Sequence, residues 1–221
     1  MKSDDAARRH VGRPPTRSRQ EITRAAVALA DRDGLAGLTM RALAQELGTG
    51  AASLYRYVGT REDLLALMVD EVNGEFELAA VDRRPWADQM LDLARAAREI
   101  YRRHPWMIEA LDGSPTLGPN GFAYLEHALA VLARSRADGR TKLEAVGVFG
   151  GLVRLLAGQE RDARSSAAAS SEVPLSDHLA GLAASGAYPH LAAALTDAHI
   201  PGDQFDRVVR RVVIGLVTGP A

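Results

Sequence analysis

The chain has 221 residues, 47% of them hydrophobic and 25% charged, with a formal net charge of −1. A chain of that length holds one large core, or a small domain joined to a medium one. It contains no cysteine, which excludes disulfides, thiolate nucleophiles and cysteine-bound metals and suits a reducing compartment. The N-terminus is charged rather than signal-like, and no apolar run approaches the ~20 residues that span a bilayer. These features point to a cytoplasmic protein with no membrane partner. The near-neutral total conceals a division. Residues 1–61 hold eleven Lys plus Arg against six Asp plus Glu, or +5, and residues 62–221 hold sixteen against twenty-two, or −6. A basic N-terminal part is what a polyanion attracts, and chance clustering of solvated charges is the bland alternative.

Almost every periodic segment is helical. After a basic, proline-containing arm, "RRHVGRPPTRSR", the pattern Ser18-x-x-Glu21 predicts a capping box. A first helix follows, with Ile22, Ala25, Ala26, Leu29 and Ala30 at three- and four-residue steps and Gly34 as its stop. Thr39 caps a second helix, whose inner face carries Leu43 and Leu47 and which Gly48 ends. The third runs from about Gly50 to Tyr57. Two short helices around a glycine turn make a helix-turn-helix, whose second helix can enter a major groove. Gly50, Ala51 and Ala52 keep its leading edge slim. Ser53, Arg56 and Tyr57, together with Arg41, present donors to phosphates or base edges, and Arg61 pins a phosphate. Arg8, Arg9 and Arg13 of the arm suit an adjacent minor groove. The competing reading is an ordinary helical hairpin with Leu54 and Tyr55 in a core, preceded by a solvated tail.

From Arg61 to about Phe76 the spacing predicts a connecting helix with Leu64, Leu65, Met68, Val69 and Val72 on its apolar side. Pro85 opens a long amphipathic helix that His104 and Pro105 end. "LDGSPTLGPNG", residues 111–121, reads as a turn-rich connection and not a phosphate loop, because it lacks the Gly-Lys-Ser/Thr ending. The helices "FAYLEHALAVLARS" and "TKLEAVGVFGGLVRLLAGQERDA" follow, the second apolar on nearly every side. Residues 163–173 read as a flexible low-complexity loop. A regular stripe of Phe205, Val208, Val209, Val212, Val213, Leu216 and Val217 closes the chain.

The stretch from Ile22 to Leu65 resembles the N-terminal DNA-binding domain of the tetracycline-repressor (TetR) family. The family pattern "LTMRxLAxxLGVSxxxLYxHFxxKxxLL" stands here as "LTMRALAQELGTGAASLYRYVGTREDLL", coinciding at Thr39, Leu43, Ala44, Leu47, Gly48, Leu54, Tyr55, Leu64 and Leu65. Arg61 replaces the usual lysine, which exchanges a point charge for a planar fork. Gly50 replaces a polar cap, at a cost of only a few tenths of a kcal/mol relative to serine, and Tyr57 replaces a histidine. The resemblance implies an all-α chain divided into a basic arm (residues 1–17), a helix-turn-helix domain (18–64) and an effector-binding and dimerisation domain (65–221).

It further implies a ligand-responsive transcriptional repressor that binds a palindromic double-stranded operator as a homodimer and is released by a small, mainly apolar or aromatic effector. The expected DNA-binding set is Arg13, Thr39, Arg41, Gly50, Ala51, Ala52, Ser53, Tyr55, Arg56, Tyr57 and Arg61. The expected pocket set is Met68, Trp86, Met90, Tyr101, Trp106, Met107, Phe122, His127 and Phe149, each of which also reads as plain core. The dimer interface is expected over residues 143–160 and 204–217, through Val146, Gly150, Val153, Phe205, Val209, Val212, Val213 and Leu216. Intrachain packing of the same stripe is the alternative. The "HPW" and "GQE" segments, at residues 104–106 and 158–160, are similar to the tetracycline-repressor regulatory domain. That domain's metal-chelating histidine has no counterpart, the region holding Leu111 and Asp112, so neither a metal nor a cofactor is expected.

Catalysis finds no support. The chain lacks Gly-x-Ser-x-Gly, His-Glu-x-x-His and a dinucleotide glycine fingerprint. His178, His190 and His199 lie at spacings that suit no common metal site, and Glu126 and His127, adjacent on a helix, do not face each other. The alternative to a DNA-binding regulator is a helical protein-interaction module, or an enzyme of uncharacterised type, without DNA binding.

Overall fold

The computed structural model describes residues 18–112, 117–169, 181, 183, 186–196 and 204–219. Among these the chain is helical and contains no strand. The helices are α1 (Arg19–Gly37), α2 (Met40–Glu46), α3 (Ala51–Val58), α4 (Arg61–Asn73), α5 (Trp86–Arg103), α6 (Trp106–Asp112), α7 (Pro119–Leu132), α8 (Gly139–Ala169), α9 (Pro189–Thr196) and α10 (Gln204–Thr218). None of the described helices is long and apolar enough to cross a membrane.

Side-chain caps start α1, α2 and α4. Ser18 Oγ accepts from the Glu21 N–H at 3.1 Å while the Glu21 carboxylate accepts from the Ser18 N–H at 2.7 Å, the reciprocal arrangement that satisfies two otherwise orphaned donors. Thr60 and Asp63 repeat it at the start of α4. Gly34 adopts φ +70°, but the chain resumes helical turns to Gly37, so the expected stop is a kink. The connecting helix ends at Asn73 rather than near Phe76.

These helices bury Ile22, Ala26, Leu29, Leu43, Leu54, Leu64, Met68 and Val72 in one core, and Ile100, Trp106, Met107 and Ala110 of α5 and α6 complete it. Each large side chain so buried contributes roughly 1.5–3 kcal/mol. The boundary expected at residues 64/65 therefore falls inside α4 and inside a continuous core.

A second core joins α5, α7, α8 and α10 through Met90, Leu93, Ala94, Val131, Leu132, Phe149 and Val213, among others. Its periphery is tied by charge. Arg95 pairs with Asp206 and Arg210 with Asp88. Arg98 bonds Glu160 at 2.6 Å, and its guanidinium lies 4.5 Å from the Phe205 ring centroid, a cation–π distance.

Two expectations change here. Val146, Val153, Phe205, Val209 and Val213, expected to meet a second chain, are buried against α5 and each other: the stripe is consumed within its own chain, because α5 offers it a matching apolar face. Of that set, Gly150, Val212 and Leu216 remain half-buried. Residues 163–169, expected in a flexible loop, belong to α8, where a serine and alanine run continues a helix already propagated from its apolar core.

Candidate nucleic-acid interface

The turn between α2 and α3 needs a left-handed residue, and Gly48 supplies it at φ +60°. The Gly48 N–H donates to Gln45 O and the Thr49 N–H to Ala44 O, at 3.0 and 2.9 Å, so the reversal leaves few backbone groups without partners. Thr39 Oγ1 accepts from the Ala42 N–H at 3.0 Å; its hydroxyl is already used as the α2 cap. Gly50 takes the cap position of α3 with no side-chain hydrogen bond, and the helix begins at Ala51.

Leu54 and Val58 bury the inner face of α3. On the outer face Ala52, Tyr55 and Arg56 are exposed, Tyr55 by 49%, so the tyrosine of the hairpin alternative is not core. Ala51, Ser53 and Tyr57 are half-buried, and Arg41 is exposed on α2. Ser53 and Arg56 are brought together, the guanidinium donating to Ser53 Oγ at 3.2 Å. Tyr57 leans on the head's core, and its carbonyl accepts from Arg19 Nε at 2.9 Å. Arg61 donates to Leu35 O at 3.2 Å, which braces α4 against the end of α1 and leaves the rest of its fork exposed. Arg13 lies outside the described residues.

Three further contacts brace this head. Arg32 reaches Glu46 at 3.2 Å and Arg24 reaches Glu71 at 2.7 Å, linking α1 to α2 and to α4. The Asp63 carboxyl is held below its ordinary range, first by the Thr60 backbone N–H and then by the Thr60 hydroxyl. A wedge of rigid helices thus presents a slim edge, one arginine paired to a serine, and an exposed tyrosine, which is the geometry of groove insertion flanked by phosphate contacts.

The residues expected in an effector pocket divide. Met68, Trp106 and Met107 lie in the head-side core, while Met90 and Phe149 lie in the second core with Trp86 packed against it; Tyr101 packs against both. Trp106 donates its indole N–H to Asp31 at 2.7 Å, so it serves the junction with α1. Phe122 is 59% exposed and faces outward from the first turn of α7, where Gly121 takes the buried position. His127 and Phe76 share the wall of a cleft of about 120 Å³ with Gln89 and Leu93. Nearby, the Phe76 and Tyr124 rings meet at a tilt of 49° with centroids 4.6 Å apart. Burial pushes the Tyr101 hydroxyl up to about 12 and raises that of Tyr124 as well, so both are neutral donors in an apolar setting.

Two long-range pairings carry no sequence signal. Asp70, on α4, accepts from the N–H groups of Asn120 and Gly121 at 2.9 and 3.1 Å, filling the N-terminus of α7 with a carboxylate. Asp31 meets His104 and Trp106 across more than seventy residues of chain. Neither pairing has a spacing that a linear reading can detect. Among the described residues no group of His, Asp and Glu is arranged to hold a metal ion.

Comparison with known proteins agrees with this layout. The family model described as "Bacterial regulatory proteins, tetR family" matches residues 22–68, and "Tetracyclin repressor-like, C-terminal domain" matches residues 80–216. The HTH-type transcriptional repressor DrrR1 of Streptomyces coeruleorubidus is 34% identical over 96% of this chain and 82% of its own length. An HTH-type transcriptional regulator of Saccharopolyspora erythraea is 32% identical over 91% of this chain and 85% of its own. Among solved structures, ActR of Streptomyces coelicolor in complex with actinorhodin superposes with a TM-score of 0.77 at 28% identity, covering 92% of this chain and 98% of that one. The first match ends at residue 68, inside α4, and the second begins at residue 80, between α4 and α5. This chain belongs to the TetR family of bacterial regulatory proteins, and is a transcriptional regulator rather than an enzyme.

Proposed function

We propose that the chain represses transcription by binding an inverted-repeat operator as a homodimer and leaves it when a small, mainly apolar or aromatic effector occupies the larger domain. The outer face of α3 carries the reading: Ala52, Tyr55 and Arg56 are exposed on a helix whose inner face is fully engaged. Arg56 and Arg41 are the candidates for base edges, alanine methyls suit thymine methyls, and Tyr55 and Arg61 suit phosphates. The repressor DrrR1, over nearly the whole chain, supports the sign of regulation. ActR with bound actinorhodin supports a small-molecule effector, and the aromatic setting of Phe76, Tyr101 and Tyr124 suits a ligand of that kind.

The dimer face we assign differs from the buried stripe. Leu143, Gly147, Gly151 and Leu155 recur at four-residue steps along α8 with Val148 beside them, and all are exposed, Leu155 by 58%. Val212 and Leu216 of α10 are half-buried. An apolar stripe with glycines between its larger residues lets a second helix approach closely, and reading an inverted repeat requires a two-fold pairing that sets two α3 helices about 34 Å apart, one turn of duplex.

The test is selection of bound DNA from a random duplex library at near-physiological salt. An enriched inverted repeat supports the reading and supplies the operator, from which release by actinorhodin is then measured as a first probe. Binding without enrichment that disappears as salt rises would reduce the chain to a non-specific polyanion binder. Leu155→Asp should give a monomer by sedimentation with helicity unchanged; a dimer that survives it removes the α8 face from the interface.

A further inference from the structure

His104 is the buried end of the "HPW" segment, 7% exposed, and both of its ring nitrogens face carboxylates. Nδ1 lies 2.7 Å from Asp31 Oδ1 of α1, the same oxygen that accepts the Trp106 indole N–H. Nε2 lies 3.2 Å from Glu75 Oε2, just beyond the end of α4. Glu75 is held in turn by Arg103 at 2.5 Å. The Trp106 ring meets the imidazole edge-on, with centroids 6.3 Å apart. One side chain thus touches the reading head, the end of the connecting helix and the turn between α5 and α6.

The chemistry of that position is asymmetric. A carboxylate only accepts hydrogen bonds, whereas a neutral imidazole donates from one nitrogen and turns a lone pair outward from the other. Only the imidazolium donates to Asp31 and Glu75 together. The charged groups around the ring are Asp31 from α1, Glu75 from the α4 end and Arg103 from α5. Beyond them, Arg161 of α8 bonds Pro105 O at 3.4 Å and Glu109 of α6 at 3.3 Å. The cleft that Asp31, Trp106, Glu109 and Arg161 help to line gives this junction access to solvent.

We propose that His104 is a proton-operated clamp on the reading head. With both nitrogens protonated it ties α1 to the end of α4 and to the α5–α6 turn. When the ring loses a proton, one carboxylate faces a lone pair and that tie opens. The Arg24–Glu71 bridge and the shared core keep the head folded in either state, so the clamp governs how firmly the head is oriented. A head already held in place needs less ordering on the duplex. Operator affinity therefore falls as the clamp opens, a consequence that rests on the DNA-binding reading above.

The test uses the full chain and two signals followed across about pH 5.5 to 8. The first is the Trp106 indole N–H resonance of nitrogen-15-labelled protein without DNA, with Trp86, the other of the two tryptophans, as internal reference. The second is affinity for the duplex selected from the random library. In the natural chain the Trp106 signal moves with pH while Trp86 does not, and affinity falls about three- to tenfold from the acid to the basic end, the worth of one hydrogen bond. Glu75→Gln is the decisive variant for transmission: its amide donates to the lone pair of the neutral ring and accepts from the protonated one, so the tie persists in both states and the pH dependence of affinity is lost, while the Trp106 signal, which shares Asp31 with the ring, still moves. His104→Gln removes both. A Trp106 signal that is flat in the natural chain, or that still moves in His104→Gln, overturns the clamp. A moving signal with an affinity slope that Glu75→Gln leaves unchanged overturns its transmission to DNA. Should no duplex be enriched, the DNA-binding reading fails, and the Trp106 signal still decides the clamp.

Discussion

The reading head and the larger domain are both helical, yet they are held together in different ways. In the head, α1, α2 and α4 start at side-chain caps and the chain reverses at a glycine: Ser18 with Glu21, Thr39, Thr60 with Asp63, and Gly48. In the larger domain α5, of eighteen residues, and α10, of fifteen, are ordered by faces that meet across more than one hundred residues, fastened by Arg95–Asp206 and Arg210–Asp88. A cap satisfies the orphaned donors of a first turn from residues three apart, whereas an amphipathic face is stabilised by the distant helices it joins. A rigid, locally specified head suits a surface that must match a duplex, while a domain assembled from distant faces can shift them against one another.

The largest expected effect lies in the second core. Phe149→Ala, at a side chain that is almost wholly buried, should destabilise the protein by about 3–5 kcal/mol in denaturant unfolding. Should the head keep its own transition at the natural midpoint, the two cores unfold separately; a shared loss means that α5 and α6 make them one unit.

The join between the regions is more sensitive than its size suggests. A Cβ added at Gly118 would stand 2.3 Å from the Asp70 carboxyl carbon, so Gly118→Ala should expel the carboxylate from the α7 terminus and cost about 1–3 kcal/mol. Asp70→Asn, which keeps an acceptor, should cost less by the same unfolding measurement. Equal losses would mean that the charge of the carboxylate, and not its acceptor oxygen alone, holds the α7 terminus.

On the head itself the effects should appear in binding and not in stability. Arg56→Ala should weaken the operator by about 1–3 kcal/mol and relax preference at one base pair, while Tyr55→Ala weakens all duplexes alike. Titration of single-base operator variants separates the two; uniform loss from both would leave Arg56 a phosphate contact.

The smallest effect belongs to extremes of pH. Tyr101 ionises at about 12 in the folded chain, against an ordinary value of 10.0. Its stabilising contribution is complete below pH 10.0 and is lost as pH rises through about 12. Tyr101→Phe should lessen alkaline unfolding in that window. Asp63 runs the other way: its lowered value makes its cap fully effective at neutral pH and lost as pH falls through and below the ordinary 3.8. Acid titration of α4 helicity in Thr60→Ala, which removes the hydroxyl partner but keeps the backbone donor, should show part of that loss already present at neutral pH.

Much of the head is legible in the linear chain, because its signals are contiguous: a cap three residues from its glutamate, a glycine where the chain reverses, leucines at helical spacing. The same logic fails where a pattern is consistent with two partners. Val209 and Val213 form a stripe that wants a covering, and a linear reading assigns that covering to a second chain. The fold supplies α5 instead, and the exposed apolar face passes to Leu143, Val148 and Leu155 of α8. The aromatic and methionine residues expected in one pocket divide between two cores for the same reason, since residue type does not say which neighbour a face will meet.

The helical class, the caps and turns of the helix-turn-helix, and the residues on the outer face of α3 follow from the order of residues alone, since these depend on contacts within about four residues along the chain. Which apolar stripe is interior, and where Asp31 and Asp70 find their partners, follows only from the assembled fold. Those contacts join residues fifty to more than one hundred apart, and only the packing of whole helices brings such groups within reach.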